Sequence, residues 1–149
     1  MLKLIPIVES PMPISITLTE GVLPAGKEAA AVAKITEAFL KHHGLSGNKV
    51  MTPNITTHLN ILPKGHAFSG GMPIDGAWVE TKTPSFALST REIQTAFFAE
   101  ATQILFELSE GRLSKDRIWS NGVYAEDGTW NLDGLAMTNE ELGQAIAAG

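Results

Sequence analysis

Polar and apolar residues alternate from Pro13 to Thr19, with Ile14, Ile16 and Leu18 on one side and Ser15, Thr17 and Thr19 on the other. That is the signature of a half-buried strand. Beyond a Glu20-Gly21 turn, Pro24-Ala25-Gly26 opens a stretch whose period changes to that of a helix. Val32, Ile35, Phe39 and Leu40 form one stripe, and Gly44 supplies a stop after His43. Dense β-branched residues predict a second strand over 49–62, with Pro53 at an edge or bulge. Four glycines and two prolines make 63–76 a loop. A third strand is expected over 77–83. A second helix is expected from Ser89-Thr90-Arg91-Glu92, read as a capping box, to about Glu110, with Ile93, Phe97, Ile104, Leu105 and Leu108 inward. A fourth strand over 117–124, a Glu126-Asp127-Gly128 turn, an extension through Trp130-Asn131 and a tail helix opened by Thr138-x-x-Glu141 complete the chain.

The order strand, helix, strand occurs twice. Thr17-Leu18-Thr19-Glu20 has its counterpart in Thr81-Lys82-Thr83-Pro84, and 45–50 is echoed by 113–118. A helix of this length suits a right-handed crossover that pairs the two strands of each half in parallel. The reading is one α+β domain over 11–149, with halves of about 11–62 and 76–124 and a tail over 125–149. Residues 1–10, with Leu4, Ile5, Ile7 and Val8, are expected to form a packed N-terminal arm rather than an extra edge strand. Two helices cover only one face of a four-stranded sheet, so oligomerisation is expected to cover the other, which is lined by Ser, Thr and Asn.

Composition narrows the function. At 149 residues, 44% hydrophobic and 18% charged, the chain suits one soluble domain. No apolar run nears the roughly 20 residues that span a bilayer, and the first eight residues do not make a signal-peptide core, so no membrane association and a cytoplasmic location are expected. The absence of cysteine excludes disulfides and thiolate chemistry, and a net charge of −5 without a basic cluster argues against nucleic acid.

Four histidines are the remaining titratable candidates near neutral pH. His42 and His43 are adjacent, about 100° apart on a helix, and are read as a helix-end pair suited to the macrodipole rather than as metal ligands. His58 on the second strand and His66 in the loop are candidate pocket residues. Ser69-Gly70-Gly71 lacks the spacing and lysine of a phosphate loop and is read as a tight turn. Asp75 and Glu80 are read as solvated surface carboxylates.

Four features stand out together: Pro11-Met12-Pro13-Ile14 before the first strand, Pro24-Ala25-Gly26 at the first helix, Ala67-Phe68-Ser69-Gly70-Gly71 in the loop, and Asp116-Arg117-Ile118-Trp119-Ser120-Asn121 with Trp130-Asn131 near the end. In this order and spacing they resemble the tautomerase superfamily, in the branch of macrophage migration inhibitory factor and D-dopachrome tautomerase. The resemblance spans about 11–131 and implies a mixed-sheet β-α-β-β-α-β subunit in a homotrimer, acting on a small carbonyl or unsaturated acid without metal or organic cofactor. It also implies that an N-terminal proline amine, Pro11 or Pro13, is the base. Asn121 matches the branch's pocket asparagine. Trp119 stands where a tyrosine is usual, keeping the aromatic wall without the hydroxyl. The Thr83-Pro84-Ser85 bend corresponds to a segment lending a backbone group to the pocket. The family's pocket lysine has no counterpart at Leu45 or Ser46, and Lys49 is the nearest cation.

As written, both prolines lie inside the chain, where neither nitrogen is basic. A histidine, His58 or His66, is then the best replacement base, and a non-catalytic trimer binding a small ligand or protein partner is the competing function. A ferredoxin-like α+β dimer is a third reading, disfavoured by the duplication.

Overall fold

The structure is a computed structural model that describes residues 13–149, so Pro11 and the expected N-terminal arm lie outside the described residues. Strand β1 (Ile14–Thr19) is built as its alternation requires: Ile14, Ile16 and Leu18 are buried and Ser15 and Thr17 half-buried. Thr19 is buried as well, its hydroxyl bonded to both backbone groups of Gly76. Helix α1 (Glu28–His42) follows, with Ile35, Phe39 and Leu40 buried and Val32 packed against them.

The second strand is shorter than expected. Residues 51–54 form a helical turn, α2 (Met51–Asn54), and β2 is only Thr57–Leu62. The cause is local: the Asn48 carboxamide oxygen accepts from the Val50 and Met51 N–H groups at 3.0 and 2.9 Å, capping a turn. Pro53 then falls in a first turn, where its missing N–H costs nothing.

Within the expected loop, β3 (Phe68–Ser69) and β4 (Met72–Pro73) form a small hairpin. Gly70 and Gly71 carry φ of 57° and 80°, the paired positive values of a two-residue hairpin turn. Strand β5 (Ala77–Pro84) and helix α3 (Arg91–Leu108) come next. The cap of α3 is Thr90, whose hydroxyl accepts from Ile93 N–H at 3.2 Å; the helix begins one residue later than a Ser89 box requires. A 3-10 turn over 115–117 leads into β6 (Ile118–Ala125).

The expected extension is a second hairpin, β7 (Trp130–Leu132) with β8 (Leu135–Met137), turning at Asp133-Gly134. Helix α4 (Asn139–Ala147) starts at the Thr138 cap and buries Leu142 and Ile146. Asn48 donates its amide to the Ile146 carbonyl at 3.0 Å, tying this tail to the α1–α2 connection.

The main sheet runs β2-β1-β5-β6. β1 is parallel to β2, β5 is parallel to β6, and β1 and β5 are antiparallel, so the two β-α-β halves meet about a pseudo-twofold axis. Both long helices lie on one face, where Ile14, Ile16, Leu18, Ala77 and Val79 meet Ala31, Ile35, Phe39, Phe97, Ala101 and Leu105. Phe39 and Phe97 pack edge to face at 5.4 Å. Among the described residues no helix covers the opposite face, which carries Ser15, Thr17, Glu80 and Lys82. Among the described residues no helix is long and apolar enough to cross a membrane.

Candidate functional site

The register of the sheet arranges the uncovered face in ranks. Pro13, Lys82 and Val123 form the first, with the Pro13 carbonyl accepting from the Lys82 N–H at 3.1 Å. His58, Ser15, Glu80 and Asn121 form the second, one residue from each strand. Asn60, Thr17, Trp78 and Trp119 form the third. Neighbours within a rank are separated by about 4.8 Å, and ranks by about 6.7 Å, because side chains repeat on a face every second residue.

The first two ranks line a hollow of about 380 Å³ bounded by Pro13, Ser15, His58, Lys82, Asn121 and Val123, with Glu80 on its floor. A second hollow of about 320 Å³ lies beyond Glu80, between Thr17, Leu62, His66, Ala67 and Trp78. Trp78 and Trp119 stack at 5.2 Å with planes 16° apart. Gly76 makes room for that pair, since a Cβ there would stand 2.9 Å from Trp119 and 3.0 Å from Trp78.

The structure thus brings Pro13, His58 and Asn121 to one hollow. Trp119 reaches the neighbouring hollow only through Trp78. Pro84 ends β5 and is buried beside Ala125. Lys49 sits exposed in the turn before α2 and lines neither hollow.

Two residues that sequence reasoning missed complete the site. Lys82 brings a cationic side chain to the hollow, and it has no ion-pair partner among the described residues. Glu80, read as a solvated carboxylate, is exposed but stands between the two hollows. The signal was the alternation of β5, which separates Trp78, Glu80 and Lys82 from the core-facing Ala77, Val79, Thr81 and Thr83. Only the antiparallel register with β1 places Lys82 beside Pro13.

The remaining motifs are structural. The Ser114 hydroxyl beside Asp116 holds its carboxyl below the usual range at the entry to β6. His42 approaches Glu100 at 3.3 Å, and Lys41 bonds the same carboxylate, which chiefly through that bond titrates below its ordinary range. His43 departs from the macrodipole reading. Its Nε2 accepts from the Leu88 N–H at 2.9 Å, so Nδ1 carries the proton donated to the Phe39 carbonyl at 2.8 Å. Burial, aided by the neighbouring His42, lowers its pKa against the raising effect of the Phe39 carbonyl. Among the described residues no three His, Asp or Glu side chains cluster as metal ligands do.

No protein-family model matches the sequence, and no curated protein matches it. Solved structures do match the fold. Pt0534 inactivated by 2-oxo-3-pentynoate superposes with a TM-score of 0.72 at 17% identity, covering 88% of this chain and 98% of that one. A wild-type fused 4-OT described as a symmetric trimer gives 0.72 at 11% identity, with the same coverage of 88% and 98%. N1, a member of the cis-3-chloroacrylic acid dehalogenase family, gives 0.69 at 14% identity and 89% of each chain. The α+β fold implied by the sequence motifs, a four-stranded mixed sheet from duplicated β-α-β units with two helices on one face, is therefore the fold of this chain.

Proposed function

We propose that this protein is a tautomerase-like catalyst of keto–enol proton transfer on a small carbonyl or unsaturated acid, working in the hollow headed by Pro13. The observation that carries the reading is the convergence of Pro13, Lys82 and Asn121 on the uncovered face of this fold. A proline amine in this hollow, beside Val123, takes a proton from carbon when the chain begins at Pro13, or at Pro11 by the alternative alignment. Lys82 holds the substrate carboxylate, and the Asn121 amide donates to the oxygen on which enolate charge develops. The fold neighbour inactivated by 2-oxo-3-pentynoate supports a 2-oxo acid as the substrate class.

The branch of macrophage migration inhibitory factor and D-dopachrome tautomerase is supported by the sequence motifs around Pro13, Gly70-Gly71 and Asn121. A homotrimer is supported by the trimeric fused 4-OT neighbour and by a sheet face that no helix covers among the described residues. The sheet edges, unpaired among the described residues, add to this, because β2 exposes Leu59 and Ile61 and β6 exposes Val123 and Tyr124, and such edges associate unless covered.

Mass spectrometry of the protein isolated from its native source identifies the first residue. If it is Pro13, Pro13→Ala in that form lowers kcat/KM for phenylpyruvate tautomerisation by about 10²- to 10⁴-fold. Unchanged turnover would rule out the amine as base. Sedimentation as a dimer would sink the trimer.

The second reading is a non-catalytic trimer that binds a small ligand or a protein partner. It is favoured by one observation: in the 149-residue sequence Met12 is joined to Pro13, whose nitrogen is then a tertiary amide.

A further inference from the structure

We infer that His58 is the general base of this hollow when Pro13 keeps its peptide bond. The inference rests on the tautomerase reading and names the group that takes the proton in the intact chain.

An acylated proline nitrogen has its lone pair delocalised into the amide and accepts no proton near neutral pH. The work must pass to a side chain that lines the same space. Ser15, Thr81, Asn121 and Val123 carry no ionisable group that could act as the base, which leaves His58, Glu80 and Lys82. Lys82 is needed as the cation for an anionic substrate. Glu80 stands between the two hollows, flanked by Asn121. His58 carries the imidazole, the side chain whose unperturbed pKa lies closest to neutral and therefore the most effective proton acceptor and donor in one group.

The fold also separates His58 from the other histidines. His42 and His43 end α1 on the helical side, engaged with Glu100 and with the Phe39 and Leu88 backbone. His66 lines the second hollow, beside Trp78. His58 is exposed on the edge strand, pairs with Ser15 in register, and makes no ring hydrogen bond among the described residues. The charged groups facing it across the hollow are Glu80 and Lys82, both from β5.

His58 and Lys82 stand two strands and one rank apart, roughly 12 Å between Cα atoms. An imidazole and a lysine leaning inward close that span to the length of a small 2-oxo acid. With the carboxylate on Lys82, a His58 ring nitrogen takes the proton from C3. The C3–H electron pair becomes the C2–C3 double bond, and the carbonyl π pair moves onto oxygen, where Asn121 donates. The imidazolium then returns the proton to that oxygen, giving the enol; the reverse sequence ketonises it. Nothing is oxidised or reduced.

The test uses the full chain, verified by mass to retain the residues before Pro13, with phenylpyruvate tautomerisation as the probe. His58→Asn is expected to lower kcat/KM by about 100-fold or more while the thermal midpoint stays near that of the wild type. The fall in wild-type rate on the acid side, where imidazole is protonated, should disappear in the variant. Added imidazole should restore part of the rate to His58→Ala, a recovery that a purely structural residue would not show. His58→Gln serves the same purpose if the asparagine variant is unstable. A wild type that turns over while both His58 variants remain within threefold of it overturns the inference and leaves the tautomerase reading standing. A wild type no faster than buffer overturns both for the intact chain.

Discussion

His43 offers the sharpest test of how the fold is held. Its ring stacks on Phe39 at 4.3 Å, and its Nε2 is the acceptor for the N–H of Leu88, a buried residue held at φ 49°. The same residue's carbonyl accepts from Tyr124 Oη at 2.7 Å and Gln94 Nε2 at 2.8 Å. A leucine in the left-handed region costs on the order of 1–3 kcal/mol and persists only where its surroundings hold it.

Replacing His43 by Leu removes the ring and its acceptor and strands the Leu88 N–H, a loss of about 1–3 kcal/mol for an unpaired buried donor. The lost stacking adds about 0.5–1.5 kcal/mol. A total near 3 kcal/mol corresponds to a midpoint lower by roughly 6–12 °C for a chain of this size.

The effect depends on pH with a definite sign. His43 has a folded-state pKa below its unfolded value of 6.5, because burial and the neighbouring His42 disfavour the charged ring more than the Phe39 carbonyl favours it. Its stabilising contribution is therefore complete above pH 6.5 and is lost as the pH falls below that value toward the folded pKa. Urea melts of the wild type and His43→Leu between pH 8 and pH 5 should show a gap that is widest at pH 8 and narrows below 6.5. Glu100, whose ordinary value is 4.5 and whose folded value is lower, acts in a more acidic window and does not obscure it. A gap constant from pH 8 to pH 5, or no gap at pH 8, would refute the neutral-acceptor role.

Two further substitutions test the uncovered face. Gly76→Ala places a Cβ 2.9–3.0 Å from the Trp78 and Trp119 rings, so it should part the stacked pair, cost about 1–3 kcal/mol in denaturant melts and change the tryptophan emission. Lys82→Gln should raise KM for phenylpyruvate by about 10- to 100-fold with little change in kcat, since a charge-assisted hydrogen bond to a carboxylate contributes roughly 1.5–3 kcal/mol. A KM unchanged from the wild type would remove Lys82 from substrate binding.

Local chemistry determined much of this protein directly. The alternation of Ile14, Ile16 and Leu18, the stripe of Ile35 and Phe39, the Thr138 cap and the duplicated strand-helix-strand order are short-range patterns that specify the long elements and the parallel pairing within each half, whereas the tautomerase-like fold follows from the resemblance carried by the motifs around Pro13, Gly70-Gly71 and Asn121. At two places a short-range competitor overrides the wider pattern. Asn48 bonds two amides within three residues and turns the start of the expected second strand into a helical turn, and the Asp133-Gly134 dipeptide makes a hairpin of the expected extension.

The site was legible only in part, because it is made of relations across strands. Alternation separates Glu80 and Lys82 from the core side of β5, but a strand slipped by two residues would keep the same faces and change every neighbour. The antiparallel register of β1 with β5 decides that Lys82, rather than Lys49, stands beside Pro13, and the parallel register of β1 with β2 sets His58 next to Ser15. The role of His43 likewise depends on a backbone N–H 45 residues away, supplied by a turn that only the packed fold brings to it. Sequence by itself determined which faces are apolar and left Pro11 and Pro13 as alternatives for the head of the first strand; tertiary structure decided which polar groups meet beside Pro13, because their meeting is set by long-range pairing that no local pattern encodes.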